Sequence, residues 1–282
     1  MKIGLALEGG SRQTIFTAGV LDAWLDENIR FSYYAGVSAG CHAAMNFITR
    51  QRGRFRYIIQ PTKIQQGKDH ANVLLDGVQK ECYALHYASA YGDSPFDFNT
   101  FFSTRVECEF GVTCCETGRV EFFQEHMSES RLLDIVNASC ALPMVFPVAP
   151  LDGKHYADGC VTVPIPYKRA FEKGCDKVVV VSTHYPDEIV TDFRKYRMIL
   201  NPMFKRKYPD FFRALMVRFK RYEKMFREME KLEKQGKLLI FRPERELCSL
   251  FETDREKLDD SYNMGFEYAQ RRMDEIKAFM EI

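Results

Sequence analysis

A three-layer α/β/α domain with a mostly parallel central sheet is the fold class predicted by this chain of 282 residues. Three observations predict it. Short apolar runs at Ile3–Leu7 and Lys177–Ser182, the second with four consecutive valines, read as strands buried on both faces. Stretches of helical period lie between the strand candidates, which is the alternation that layered α/β domains show. The pentapeptide Gly36-Val37-Ser38-Ala39-Gly40 stands where a strand would turn sharply into a helix.

In chain order, Ile3–Leu7 is the first strand and Glu8–Gln13 a loop. Phe16, Gly19, Val20, Ala23 and Trp24 then recur at helical spacing, and Asn28 ends the helix. Tyr33–Val37 is the second strand, running into the pentapeptide. Ala43, Ala44, Phe47 and Ile48 give the next helix a packing face of small and apolar residues. Residues 51–103 show little sustained period and are expected to form loops and short helices that line the substrate pocket. Thr104–Phe123 reads as two strands joined at Glu116-Thr117-Gly118-Arg119. A helix over Leu132–Ala141 is stopped by Pro143, Pro147 and Pro150.

Composition shifts near Asp192. Between Arg194 and Lys237 there are fifteen Lys/Arg against five Asp/Glu, and Phe212, Leu215, Phe219, Tyr222, Phe226 and Met229 step by three and four. That is an amphipathic helix with a basic outer face. Leu258, Tyr262, Gly265, Phe266, Ala269 and Met273 predict a further helix docking back on the fold. The expected organisation is a catalytic unit over residues 1–191 and a helical C-terminal extension over 192–282, packed on it as a lid or a lipid-facing surface.

A net charge of +1 argues against a nucleic-acid partner. Nine cysteines at irregular spacing, with no Cys-x-x-Cys pair, predict reduced thiols in a cytoplasmic protein and no metal site. No run approaches the length of a transmembrane span, and Lys2–Leu7 is too short for a signal region.

The serine of a tight strand-to-helix turn projects clear of the backbone, and glycines two residues either side relieve the crowding. Such a hydroxyl reacts only if a base takes its proton and donors stabilise the oxyanion. Glu8-Gly9-Gly10-Ser11-Arg12 lies between a strand and a helix start, where free N–H groups favour negative charge. The same glycines would also suit a plain tight turn or a phosphate site. Two residues are candidates for the base. Asp158, in Ala157-Asp158-Gly159-Cys160, can accept the proton directly if it is partly desolvated, although Asp-Gly is also a common turn dipeptide. His184, just past the valine strand, could complete a Ser38–Asp–His184 triad in an esterase or thioesterase acting on other small esters or thioesters, or simply be a hydrogen-bonded residue at a strand end.

Four motifs in order carry a resemblance: Gly9-Gly10-Ser11-Arg12, the pentapeptide around Ser38, Ala138-Ser139-Cys140-Ala141-Leu142-Pro143 with Phe146-Pro147, and Asp158-Gly159. Together, over roughly residues 3–182, they resemble the bacterial patatin-like phospholipases. The resemblance implies a patatin-like fold and a serine–aspartate dyad without histidine, Ser38 as nucleophile and Asp158 as base. It implies an oxyanion hole from Gly9, Gly10 and Ser11 with Arg12 nearby. It further implies a lipid or small ester substrate and no metal or organic cofactor. The basic stretch from Arg194 to Lys237 suits either contact with a membrane surface or the solvated charged face of a helix packed on the domain. The family loop usually reads Gly-Gly-Gly-x-Arg-Gly, whereas Ser11, Gln13 and Thr14 stand here in place of the third glycine, the arginine and the last glycine. Cys160 follows Asp-Gly where glycine or alanine is usual. These departures leave a third reading open, a lipid-binding or regulatory module that no longer catalyses.

Overall fold

The computed structural model describes residues 1–60, 89–186, 188 and 190–282. In chain order the described elements are β1 (Ile3–Leu7), α1 (Ile15–Asp26), β2 (Tyr33–Val37), α2 (Ala39–Ile48), α3 (Arg54–Ile59) and α4 (Phe98–Ser103). There follow β3 (Glu107–Cys114), β4 (Val120–Phe123), α5 (Glu129–Ser139), β5 (Ala149–Leu151), β6 (Lys154–Asp158), α6 (Tyr167–Glu172) and β7 (Lys177–Val181). The C-terminal part supplies α7 (Pro209–Lys234), β8 (Leu238–Phe241), α8 (Arg255–Arg271) and α9 (Met273–Met280). Most of the pocket-lining stretch expected over 51–103 lies outside the described residues.

One sheet runs in the order β5-β6-β3-β2-β1-β7-β8, with β4 also paired to β3. Strands β3, β2, β1, β7 and β8 are parallel, and β4, β5 and β6 are antiparallel to their neighbours. Alternate residues go to opposite faces, as strand geometry requires. Leu5, Leu7, Tyr34, Val179, Val181, Leu239 and Phe241 join α1, α2, α5, α8 and α9 in one core. Ala6, Tyr33, Ala35, Val178, Val180, Leu238 and Ile240 meet α6 and α7 in the other. The two cores make the sheet the middle of three layers.

The C-terminal stretch is not helical throughout. Leu238–Phe241 forms β8, parallel to β7 with Val178 opposite Leu238, so β7, α7 and β8 make a β-α-β unit. Trp24 of α1 is buried edge-on against Phe241 of β8 at 4.9 Å between ring centroids. Helix α8 crosses α1 at unusually close range. A Cβ added to Gly19 would lie 2.1 Å from the Tyr262 carbonyl oxygen, and one added to Gly265 would lie 2.1 Å from that of Phe16. The backbones touch because neither residue has a side chain.

One feature of the sheet edge escapes sequence pattern. The β5–β6 hairpin, turning at Asp152-Gly153, is made of strands too short to show a period. It matters because β3 is longer than β2. Strand β2 pairs with β3 only as far as Val37 opposite Gly111. Strand β4 occupies the other edge of β3 from Phe110 to Thr113, so β6 continues on the β2 edge, starting at Asp158 opposite Val112. The residue after β2 is Ser38 and the last residue of β6 is Asp158.

Candidate active site

The carboxyl ends of β1, β2 and β7 and the end of β6 converge where open α/β sheets gather their functional groups. At the end of β2, Ser38 adopts φ 54° and ψ −130°, a conformation that costs a non-glycine residue roughly 1–3 kcal/mol and needs surroundings that enforce it. Those surroundings are tight on both sides. A Cβ at Gly36 would lie 2.5 Å from the Gly40 carbonyl oxygen, and one at Gly40 would lie 2.6 Å from that of Leu7. Helix α2 therefore starts directly against β1. Ser38 N–H donates to Ser139 Oγ at 2.8 Å, and the Ser139 hydroxyl donates to the Gly111 carbonyl at 2.7 Å. Buried Ser139 thus ties the turn to β3.

The Ser38 hydroxyl donates to Asp158 Oδ2 at 2.8 Å. The other oxygen, Oδ1, accepts the Cys160 N–H at 2.8 Å. The Asp158 backbone is fixed by its N–H to the Ala141 carbonyl and by the Thr113 hydroxyl on its own carbonyl, both at 2.9 Å. Asp158 is buried, and that burial holds its carboxyl above the ordinary aspartate value despite the opposing hydrogen bonds from Cys160 and Ser38. Cys160, the departure from the usual small residue, still supplies the N–H.

The glycine-rich loop faces this pair. A Cβ at Gly9 would lie 2.7 Å from Ser38 Cβ. Gly10 has φ 140°, and Ser11 has φ 46°, a left-handed value that glycine would adopt without strain. The N–H groups of Glu8, Arg12 and Gln13 donate to Val181, Leu250 and Gly10 carbonyls, whereas those of Gly9, Gly10 and Ser11 have no acceptor among the described residues. Arg12 directs its guanidinium to the carbonyl oxygens of Phe251 and Glu252, on the loop before α8.

Beneath the loop lies a buried polar network. Glu8 accepts from the Ser182 hydroxyl, the Thr183 N–H at 2.9 Å and the Tyr222 hydroxyl, and the Thr183 hydroxyl donates to the Gly9 carbonyl at 2.8 Å. His184 Nδ1 sits 3.0 Å from Glu8 Oε1, a charge contact outside aligned hydrogen-bond geometry. Burial opposes both charges, but each sustains the other: Glu8 stays below the usual carboxylate range and His184 above the usual imidazole value. His184 is therefore the partner of Glu8, while the serine hydroxyl meets Asp158 directly. Helix α7 braces both halves of the site. Arg218 Nε donates to the Cys160 carbonyl at 3.0 Å, its guanidinium lies 4.8 Å from the Tyr222 ring centroid, and Tyr222 holds Glu8.

The sequence profile of the patatin-like phospholipases matches residues 5–171. The chain belongs to the patatin-like phospholipase family. Residues 208–281 match a second profile, a domain of unknown function (DUF6363), which covers α7, β8, α8 and α9 of this patatin-like protein. The uncharacterised protein YjjU of Escherichia coli K12 is 28% identical over 187 residues, 64% of this chain and 52% of YjjU. The chain thus spans about half the length of that relative. The crystal structure of VipD from Legionella pneumophila superposes with a TM-score of 0.50 at 10% identity, over 97% of this chain and 67% of that one. The VipD likeness supports the patatin-like fold.

Glu8 and Ser139 lie inside motifs that the sequence singles out, and Tyr222 on the apolar stripe of its helix, but neither these three nor Arg218 had a role in the site assigned from sequence. A carboxylate ending an otherwise apolar strand was the available signal for Glu8. Arg218 looked like one cation among many on a basic helix face, and only packing shows it to be buried.

Proposed function

We propose that this protein is a serine acyl hydrolase that cleaves carboxylic ester bonds of lipids through Ser38 and Asp158. The direct 2.8 Å hydrogen bond between the two side chains carries this reading. Asp158 takes the hydroxyl proton as Ser38 Oγ attacks the ester carbonyl carbon. The N–H groups of Gly9, Gly10 and Ser11 meet the oxyanion, and Arg12 holds the far end of that loop against the C-terminal segment. When the tetrahedral adduct collapses, Asp158 returns the proton to the leaving alkoxide, and an acyl-enzyme remains. Water then repeats the sequence: Asp158 accepts its proton, hydroxide attacks the acyl carbon, and the proton goes back to Ser38 as the fatty acid leaves. Ala141, whose carbonyl accepts the Asp158 N–H, also lines a small cleft of about 200 Å³ with Asn137, Phe146, Pro147 and Val148. The irregular spacing of nine cysteines, with no Cys-x-x-Cys pair, supports a reducing, cytoplasmic setting.

A fluorophosphonate probe should label Ser38 in the folded protein and fail on Ser38→Ala. His184→Gln separates the rival base: labelling and hydrolysis of a short ester should persist within about tenfold, whereas loss of a triad base costs about 10⁴-fold or more. No labelling of the folded wild type would leave the non-catalytic reading standing. The carboxylate must be ionised to act as base, so its raised pKa shifts the acid limb of kcat/KM to a higher pH than an ordinary aspartate gives. An acid limb at or below the ordinary aspartate value would remove Asp158 from that role.

A further inference from the structure

Between β7 and α7 the chain crosses the surface as short helical turns, Phe193–Tyr196, Arg197–Leu200 and Asn201–Lys205. Phe193, Leu200, Phe204 and Tyr208 pin it down, buried in one cluster with Ala157, Val161 and Phe211. The intervening side chains point outward, and several are large and apolar: Met198 is 90% exposed, Ile199 53%, Met203 48% and Tyr196 42%. Single exposed apolar residues mean little, but four within eight positions form a patch. Over residues 193–208 there are also six cations, Arg194, Lys195, Arg197, Lys205, Arg206 and Lys207, and no Asp or Glu. All six are exposed. Arg194 is bridged to Asp192 at 2.7 Å, and Lys207 lies over the Tyr208 ring. The whole chain carries only +1, so the positive charge is concentrated here.

Apolar side chains flanked by Lys and Arg suit one environment above others, the boundary between anionic headgroups and acyl chains. We infer that residues 194–207 dock this protein on an anionic bilayer, a role that rests on the proposed lipid hydrolase reading. Tyr196, Met198, Ile199 and Met203 enter the interface, and the cations lie among the headgroup phosphates. No described helix is long and apolar enough to cross a membrane. The anchoring cluster includes Ala157 and Val161, either side of the Asp158 turn, so the docking face is built on the same packing that positions the carboxylate.

The test uses full-length Ser38→Ala protein, so that binding is read without turnover, and sedimentation with vesicles. Binding to phosphatidylcholine mixed with phosphatidylglycerol is expected, weakened by salt, with little binding to phosphatidylcholine alone. At about fivefold per cation, changing Lys195, Arg197, Lys205 and Arg206 to Gln should lower partitioning roughly 600-fold. Met198→Glu with Ile199→Glu should abolish it. In the Ser38 background both sets should keep wild-type hydrolysis of a soluble short ester, and both should keep the parent Tm, which checks folding even if the hydrolase reading fails. Absence of binding to mixed vesicles, or variants that bind as the parent does, would overturn the inference. So would self-association in sedimentation velocity that Met198→Glu with Ile199→Glu dissolves, since the face would then join two copies of this chain.

Discussion

Asp158→Asn is expected to lower kcat/KM for an ester about 10⁴-fold while raising the Tm, and Ser38→Ala to lower it about 10⁶-fold. The amide fills the space of the carboxylate. Its oxygen accepts from Cys160 N–H as Asp158 Oδ1 does, and its NH₂ faces the Ser38 oxygen. What it cannot do is take a proton. The stability change follows from linkage. Burial raises the Asp158 pKa in the folded protein, so the native state holds that proton more tightly than the unfolded chain does. Stability is therefore lost as pH rises from the unfolded pKa through the folded one, and at neutral pH the ionised carboxylate weighs against folding. An amide is free of that cost. The measurements are steady-state kinetics and thermal melts at neutral pH, with melts repeated in acid, where the advantage of the amide should shrink. A variant as active as wild type would end the mechanism. One that is inactive but less stable would mean that the Ser38–Asp158 contact holds the fold together.

Gly265→Val should be the most destabilising single change outside the reacting groups, about 3 kcal/mol, or a Tm fall of roughly 6–12 °C. Overpacking is tolerated where a flexible side chain can move aside. Here the new Cβ would meet the carbonyl oxygen of Phe16 on a neighbouring helix at 2.1 Å, and neither backbone can yield alone. Helix α8 must lift from α1, weakening the contact of Tyr262 with Asp22, now a 2.9 Å hydrogen bond. Gly19→Val, which probes the other side of the crossing, should behave alike. Gly153→Ala, where an added Cβ meets nothing, tests for a general glycine effect. That turn has φ 78°, so it should still lose stability through backbone strain, by about 1 kcal/mol. A Gly265→Val melt that matches Gly153→Ala would refute the close-crossing explanation.

Much of the architecture was legible because two-sided burial leaves strong marks. Ile3–Leu7, Tyr33–Val37 and the valine strand fall within a residue of their structural limits. Apolar runs bounded by breakers survive any tertiary rearrangement. Strand β8 was missed because four apolar residues, Leu238–Phe241, are too few to separate a strand from the tail of a helix. The hairpin carrying Asp158 was missed for the same reason. In the site, the Ser38 turn was visible because its glycines answer to local crowding. The contact between Ser38 and Asp158 was inferred from resemblance, since no local pattern brings together residues 120 positions apart. The brace from α7 was only half visible: Tyr222 falls on the apolar stripe of the helix, but nothing in that pattern turns the cation Arg218 inward toward the turn after Asp158.

The succession of β2 and β6 along one edge of β3 has an evolutionary corollary. The serine and the carboxylate take their positions from consecutive rungs of a single ladder and from the start of α2, so neither depends on the length of chain between the end of α2 and β3. Segments there can be exchanged, extended or trimmed while the two groups stay put. Substrate preference can drift in such a scaffold with the reacting atoms left undisturbed.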